Sequence, residues 1–212
     1  VSARPISDRS GQVTARLTSR GLPLRPELVL ATLAGVKRET RRVCPESWLR
    51  CLDPEDEEDR ATAIERCPYG RVGDHLWVRE QLVPYSKYEW TIYAADREYV
   101  KPDTRWPWKV RTLPSRFCPR WASRVTLRIT SVDVERLQAI TDAGALREGV
   151  TVPEPWWSVM TRDGRMHPRE TTRDVFARLW DSLNAARGYS WVSSPWVWVI
   201  GFEMVDAKGG GA

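Results

Sequence analysis

The sequence predicts an α+β fold: a small, mostly antiparallel sheet or barrel with helices flanking it. Three stretches carry that prediction. In "SRVTLRITSVDVERL" (Ser123 to Leu137), Val125, Leu127 and Ile129 alternate with Thr126, Arg128 and Thr130, the period of a half-buried strand. "PWVWVIGFEMV" (Pro195 to Val205) is apolar on both faces, as a central strand must be. Between them, "TTRDVFARLWDSLNAARG" puts Val175, Phe176, Leu179, Trp180 and Leu183 on one helical stripe that ends before Gly188. Strands and helices that follow one another in this order suit an α+β arrangement.

Taken in order, residues 1–22 are polar and basic with little periodicity, and a flexible arm is expected. A short helix is expected over Glu27–Ala34, with Pro26 in its first turn, Leu30, Leu33 and Ala34 as its apolar side, and Gly35 as a left-handed cap. Residues 44–68 form an acidic insertion of weak pattern. "GDHLWVREQLV" (Gly73 to Val83) reads as a turn and then a strand, with Leu76, Val78 and Glu80 on one face and Trp77 and Arg79 on the other. Residues 84–116 are a second insertion, rich in Trp, Tyr and Pro, with short strands at most. In the strand after Ser123 the apolar phase switches to Val132 and Val134, which predicts a bulge or bend. Thr141 and Gly149 bracket a short helix as its two caps. Residues 151–170 are expected as a loop and 206–212 as a tail. One domain over 23–205 follows, with no internal repeat.

Composition narrows the function classes. The 212 residues are 42% hydrophobic and 29% charged, an ordinary globular balance. No apolar run approaches the ~18 residues of a membrane span. The first residues lack the apolar core of a secretory signal, so a cytoplasmic location is expected. Net charge is +5 but uneven. Residues 1–50 hold ten Lys/Arg against four Asp/Glu, "DPEDEED" at 53–59 holds six acids, and residues 101–128 are basic again. Such patches suit a polyanion partner. Several of the twelve tryptophans sit among arginines, as in "RWPWKVR" and "PRWASR", and interleaving of this kind can stack bases and hold phosphates. Cys44, Cys51, Cys67 and Cys118 form no C-x-x-C pair and are expected as reduced thiols, with a zinc site from the first three as the alternative. His75 and His167 stand alone and are read as structural. No metal or cofactor is expected.

The segment "GVKRETRR" fits the pattern G-x-K-x-x-T-x-R through Gly35, Lys37, Thr40 and Arg42. Behind it come "GDHLWVRE", "PRWASRVTL", "ITDAGALREGV", "FARLWDSLN" and "PWVWVIGFE". In this order they resemble the ASCH domain family of the PUA-like superfamily, and in particular its larger, phage-type members, over roughly residues 22–205. The resemblance implies a PUA-like barrel with the Gly35–Arg42 loop lining a cleft over its mouth. It implies a nucleoside or nucleic-acid partner, RNA over DNA. A small bacterial branch that is similar at the same signature hydrolyses the acetyl amide of N4-acetylcytidine. By that resemblance Lys37, Thr40 and Glu148, the last from "ALRE", are the candidate catalytic residues. Gly35, Arg38, Arg41, Arg42, Glu80, Trp121 and Arg124 are the candidate ligand-binding residues.

The chemistry asks for a nucleophile, a proton manager and an oxyanion stabiliser. Thr40 can attack an acyl carbon if Lys37 takes its proton, and that requires a lysine far below its usual value of about 10.4. Burial or the neighbouring arginines would lower it. Glu148 can protonate the leaving amine. In a straight strand Lys37 and Thr40 point to opposite faces, so they converge only if the chain turns after Gly35. Two alternatives stay open: a binding module without catalysis, and, behind it, a ribonuclease working without metal.

Overall fold

A computed structural model describes residues 17–49, 53–85, 90–101, 104–151 and 170–207. Its centre is a five-stranded mixed sheet, ordered β1-β3-β6-β7-β2. The strands are β1 (Ser19–Pro23), β2 (Glu39–Val43), β3 (His75–Arg79), β6 (Val125–Arg136) and β7 (Trp196–Ala207). Only the β1–β3 pair is parallel; the other three are antiparallel. The class is α+β as the pattern predicts, but the sheet is open, with β1 and β2 at its two ends, rather than a closed barrel. β7 lies between β6 and β2, which explains why both its faces are apolar: Val197, Trp198, Ile200 and Phe202 are all buried.

β6 and β7 run together for their whole length, and their register shifts at Thr126/Leu127 and at Ile129/Ser131. The second shift is the bend that the switch from Ile129 to Val132 foretells. On one side of the sheet Leu22, Val29, Leu76, Val78, Leu127, Ile129, Trp198 and Ile200 form the main core.

Two sequence expectations change here. Residues 19–22, expected within a flexible arm, are strand β1. Residues 1–16 of that arm lie outside the described residues, as do most of the 151–170 loop, the end of the tail, Cys51 and His167. Helix α1 (Pro26–Leu33) buries Val29 and Thr32, while Leu30, expected on the apolar side, is 43% exposed.

The acidic insertion is part of the core rather than a peripheral loop. After the short helix α2 (Glu46–Leu49), helix α3 spans Glu57–Glu65. The side chain of Asp56 caps it by accepting from the N–H groups of Glu58 and Asp59. The acids of "DPEDEED" therefore occupy a helix N-terminus, where the backbone dipole favours negative charge. Ala63 and the thiols Cys44 and Cys67 pack into the main core, and Trp198 donates its indole N–H to Ala63 O at 3.1 Å.

The Trp-rich insertion folds on its own small centre. Strands β4 (Leu82–Tyr85) and β5 (Trp90–Tyr93) form a separate antiparallel pair. Leu82, Tyr93, Val100, Trp106, Leu113, Cys118 and Ala122 cluster around it. A third cluster joins α4 (Asp142–Arg147), α5 (Thr172–Asn184) and β7 through Leu137, Ile140, Ala145, Phe176, Trp180 and Val197. Thr171 and Asp174 close a reciprocal capping box at the start of α5. Among the described residues no helix is long and apolar enough to cross a membrane.

Candidate functional site

The site begins where α1 ends. Gly35 takes φ +69°, and the N–H groups of Gly35 and Val36 return to Thr32 O (3.0 Å) and Ala31 O (2.9 Å). This is a Schellman close, which needs a left-handed residue at that point. The Lys37 N–H also reaches Ala31 O, Arg38 N donates to Arg147 O at 2.7 Å, and Phe202 N donates to Arg38 O at 2.9 Å. The loop is thus pinned by α1, α4 and β7. Its turn sends the Lys37 side chain inward, where it is fully buried, while Arg38 stays exposed and bonds Gly35 O.

Lys37 Nζ donates to Glu148 Oε2 (2.6 Å), Glu148 O (2.8 Å) and Glu39 O (2.7 Å), so all three ammonium protons have acceptors. Burial pushes its pKa below the ordinary 10.5; the Glu148 carboxylate opposes this, and Arg42 and Arg41 add to it. Glu148 is the C-cap of α4, whose first turn is held by the Thr141 side chain. Gly149 follows at φ +85°, and a Cβ there would lie 2.9 Å from both Ala31 Cβ and Lys37 Cβ. Only glycine lets the end of α4 sit against Lys37 at that distance.

The other Glu148 oxygen, Oε1, accepts the Arg41 backbone N–H, and the Arg41 guanidinium stands 3.5 Å from it. β2 is an end strand of the sheet, and Glu148 satisfies one of its edge donors. Arg41 also pairs with Glu39 (2.9 Å) and Glu135 (2.8 Å), and Arg147 pairs with Glu39 (2.6 Å). Three cations and three carboxylates form one network beneath the loop.

Thr40 and Arg42 alternate with Arg41 along β2 and line a cleft of about 390 Å³ that Glu148 also reaches. Arg25 and Leu28 of the α1 start, Tyr69, Arg116, and Phe176, Trp180 and Arg187 of the α5 region complete its walls. Arg42 donates to Pro23 O at 2.9 Å and lies 6.0 Å from the Tyr69 ring, but among the described residues its buried Nε has no partner. Arg187 donates to Asn184 Oδ1 at 3.3 Å and lies 6.0 Å from the Tyr189 ring centre, and Arg25 stands 3.8 Å from Glu27. The lining holds five arginines and one carboxylate, which makes the cleft electropositive.

The structure therefore brings Lys37 against Glu148, and Thr40 to the same cleft as Glu148. Among the described residues no hydrogen bond joins Lys37 to Thr40, and Lys37 lies behind the cleft instead of on its surface. Five other candidates line no part of this cleft: Gly35 and Arg38 border a separate hollow beside Leu127 and Phe202, and Glu80, Arg124 and Trp121 sit on the insertion side. Arg124 grips Glu80 in a two-pronged pair (3.0 and 2.9 Å), adds Asp96 at 2.7 Å and Glu98 at 3.3 Å, and covers the Tyr93 ring at 3.9 Å. Burial pushes the Glu80 carboxyl up and Arg124 pulls it back. This buried network ties β3 and β6 to the β4–β5 insertion and lines no part of the cleft. Trp121 is neither a core wall nor a cleft residue; it is 46% exposed on the insertion. None of residues 53–59 lines the cleft.

Arg25, Tyr69, Arg116, Trp180 and Arg187 were not legible as site residues. The α5 stripe carries the ordinary signature of a core-facing helix, and nothing in it marks which part of the stripe faces a cavity.

No family model matches the chain, and no curated protein matches it. Among solved structures, the chain is similar to a protein of Enterococcus faecalis V583 from the family model DUF984, at 11% identity over 94% of this chain and 88% of that one, with a TM-score of 0.41. It is also similar to an ASCH domain from Lactobacillus crispatus JV V101, at 14% identity over 89% and 80%, with a TM-score of 0.40. The second is of the family that the G-x-K-x-x-T-x-R segment resembles. Likeness at this level carries no argument about what the cleft binds.

Proposed function

We propose that the cleft binds a nucleoside phosphate, free or as one unit of a nucleic-acid strand. The observation that carries this reading is Arg42, a cleft-lining guanidinium beside an aromatic ring, with a buried Nε unpartnered among the described residues. A buried donor without a partner is costly, and an anionic oxygen would satisfy it. Tyr69 and Trp180 supply aromatic walls for a base, and Arg25, Arg116 and Arg187 supply further positive charge. The volume is at the small end of small-molecule sites, roughly 300–1,000 Å³, and suits one nucleotide unit. Calorimetric titration with cytidine 5′-monophosphate and with cytidine tests it. The phosphate ester binds more tightly, and Arg42→Gln weakens it by about tenfold or more, the worth of a charge-assisted hydrogen bond. Equal binding of both ligands by wild type and variant would count against the reading.

A second reading, removal of an acyl group from an N4-acylated cytidine, is favoured by the 2.6 Å contact of Lys37 with Glu148 and by Thr40 and Glu148 sharing the cleft. Here Glu148 takes the hydroxyl proton as Thr40 Oγ1 attacks the acyl carbon and returns it to N4 as the C–N bond breaks and cytidine leaves; a water then hydrolyses the Thr40 ester, releasing the carboxylate, while Lys37 holds Glu148 from behind. Chromatography of N4-acetylcytidine after incubation checks it: cytidine appears with wild type and is lost with Thr40→Val and Glu148→Gln. Absence of product with well-folded wild type leaves binding as the function.

A further inference from the structure

Residues 104–124 carry six Lys/Arg, three Trp and no Asp or Glu. Trp106 is buried, with its indole N–H on Val110 O at 2.8 Å. It sets Trp108 edge-on at 4.8 Å, and Trp108 lies parallel to Trp121, with centroids 6.3 Å apart and planes 4° apart. Trp121 is half-exposed, with Lys101 Nζ 5.9 Å from its ring centre. Four residues earlier in the chain, Phe117 is 57% exposed, with the Arg116 guanidinium 4.7 Å from its ring. Lys101, Lys109, Arg116 and Arg120 are exposed, and among the described residues none is in an ion pair. Asp96 and Glu98 of the insertion are paired with Arg124.

We propose that this face of the insertion binds single-stranded nucleic acid, with bases stacked on Trp121 and phosphates held by Lys101, Lys109, Arg116 and Arg120. Exposed aromatic rings among exposed cations match the two demands of a single strand: a π-face for any base and positive charge along the backbone. Arg116 belongs both to this face and to the cleft lining, so a strand with one unit in the cleft continues onto Trp121. That path rests on the cleft reading; the face itself does not.

The test is fluorescence anisotropy of labelled uridine and thymidine 12-mers over a salt series, beside titrations with cytidine 5′-monophosphate. The expected result is that wild type binds one or both 12-mers more tightly than the mononucleotide. Trp121→Ala weakens 12-mer binding by about tenfold and leaves mononucleotide binding unchanged. Lys109→Gln with Arg120→Gln makes the salt dependence shallower by about 0.7 in slope for each phosphate that is no longer neutralised. Melting temperatures of these surface variants match wild type. A 12-mer response to Trp121→Ala with no mononucleotide binding would sustain this surface while removing the cleft reading. The surface is overturned if 12-mer affinity ignores Trp121→Ala and the double variant. It is equally overturned if a duplex of the same length binds as tightly, or if Trp121→Ala alters only self-association on a sizing column.

Discussion

Lys37 is the residue on which the site turns. Its amine has three acceptors and no solvent, so it acts by holding Glu148 in place. Removing one member of a buried ion pair strands the other, at a cost of about 3 kcal/mol or more. Lys37→Met is therefore expected to lower the unfolding free energy by about that amount, read from a urea titration. Lys37→Met with Glu148→Leu should recover most of it; no recovery would mean that the pair does not act as a unit. The pH dependence has a definite sign. The folded pKa of Lys37 lies below 10.5, so between the two values the unfolded chain holds a proton that the folded chain has released. Stability relative to Lys37→Met thus rises with pH across the window that ends at 10.5. A fall across that window would contradict the burial argument. The sequence made Lys37, Thr40 and Glu148 visible as candidates through motif resemblance. It did not reveal that Lys37 lies behind the cleft, because the direction of one side chain after a Schellman turn depends on what α4 and β7 pack around it.

The short elements explain how residues distant in sequence meet. α4 can press Glu148 onto Lys37 only because Gly149 has no Cβ and accepts φ +85°. Gly149→Ala is expected to destabilise by roughly 1–3 kcal/mol through backbone strain and overpacking and to weaken nucleotide binding at the same time. A stable variant with unchanged binding would show that α4 does not position the site. The insertion between β3 and β6 is fixed in a comparable way by Arg124. Arg124→Met leaves Glu80 buried without a counter-ion and should cost about 3–5 kcal/mol by chemical denaturation, with Glu80→Leu restoring much of the loss. Strands β6 and β7 and helix α5 were the legible elements, since each has a sustained period. β1 was not. "SRGLP" is too short and too polar to show a pattern, and its pairing partner β3 lies over fifty residues away. The buried face of α1 departs from its apolar pattern because Thr32 turns inward and satisfies its hydroxyl on Leu28 O at 2.8 Å, while Leu30 faces out.

At the scale of the whole molecule, three apolar clusters divide the labour. The sheet cluster packs α1 and α3 against β1, β3, β6 and β7. The α4–α5 cluster supplies one wall of the cleft, and the insertion cluster builds the basic, tryptophan-bearing face that meets the cleft at Arg116. The fold class follows from pattern, but closure of the sheet does not. A barrel and an open five-stranded sheet present the same alternation along each strand, and only tertiary pairing of the end strands tells them apart. The basic stretches suit an anionic partner, and the structure brings Arg25, Arg42, Arg116 and Arg187 together from four separate segments, which no linear pattern encodes.

The central claim is that the Thr40–Arg42 cleft holds the nucleotide, and the most direct measurement is the site of photo-cross-linking. Irradiating the protein with 4-thiouridine 5′-monophosphate, followed by peptide mass spectrometry, is expected to give adducts at Tyr69 or Trp180, diminished in Arg42→Gln. Adducts confined to other surfaces, with none on the cleft walls and no effect of Arg42→Gln, would contradict it.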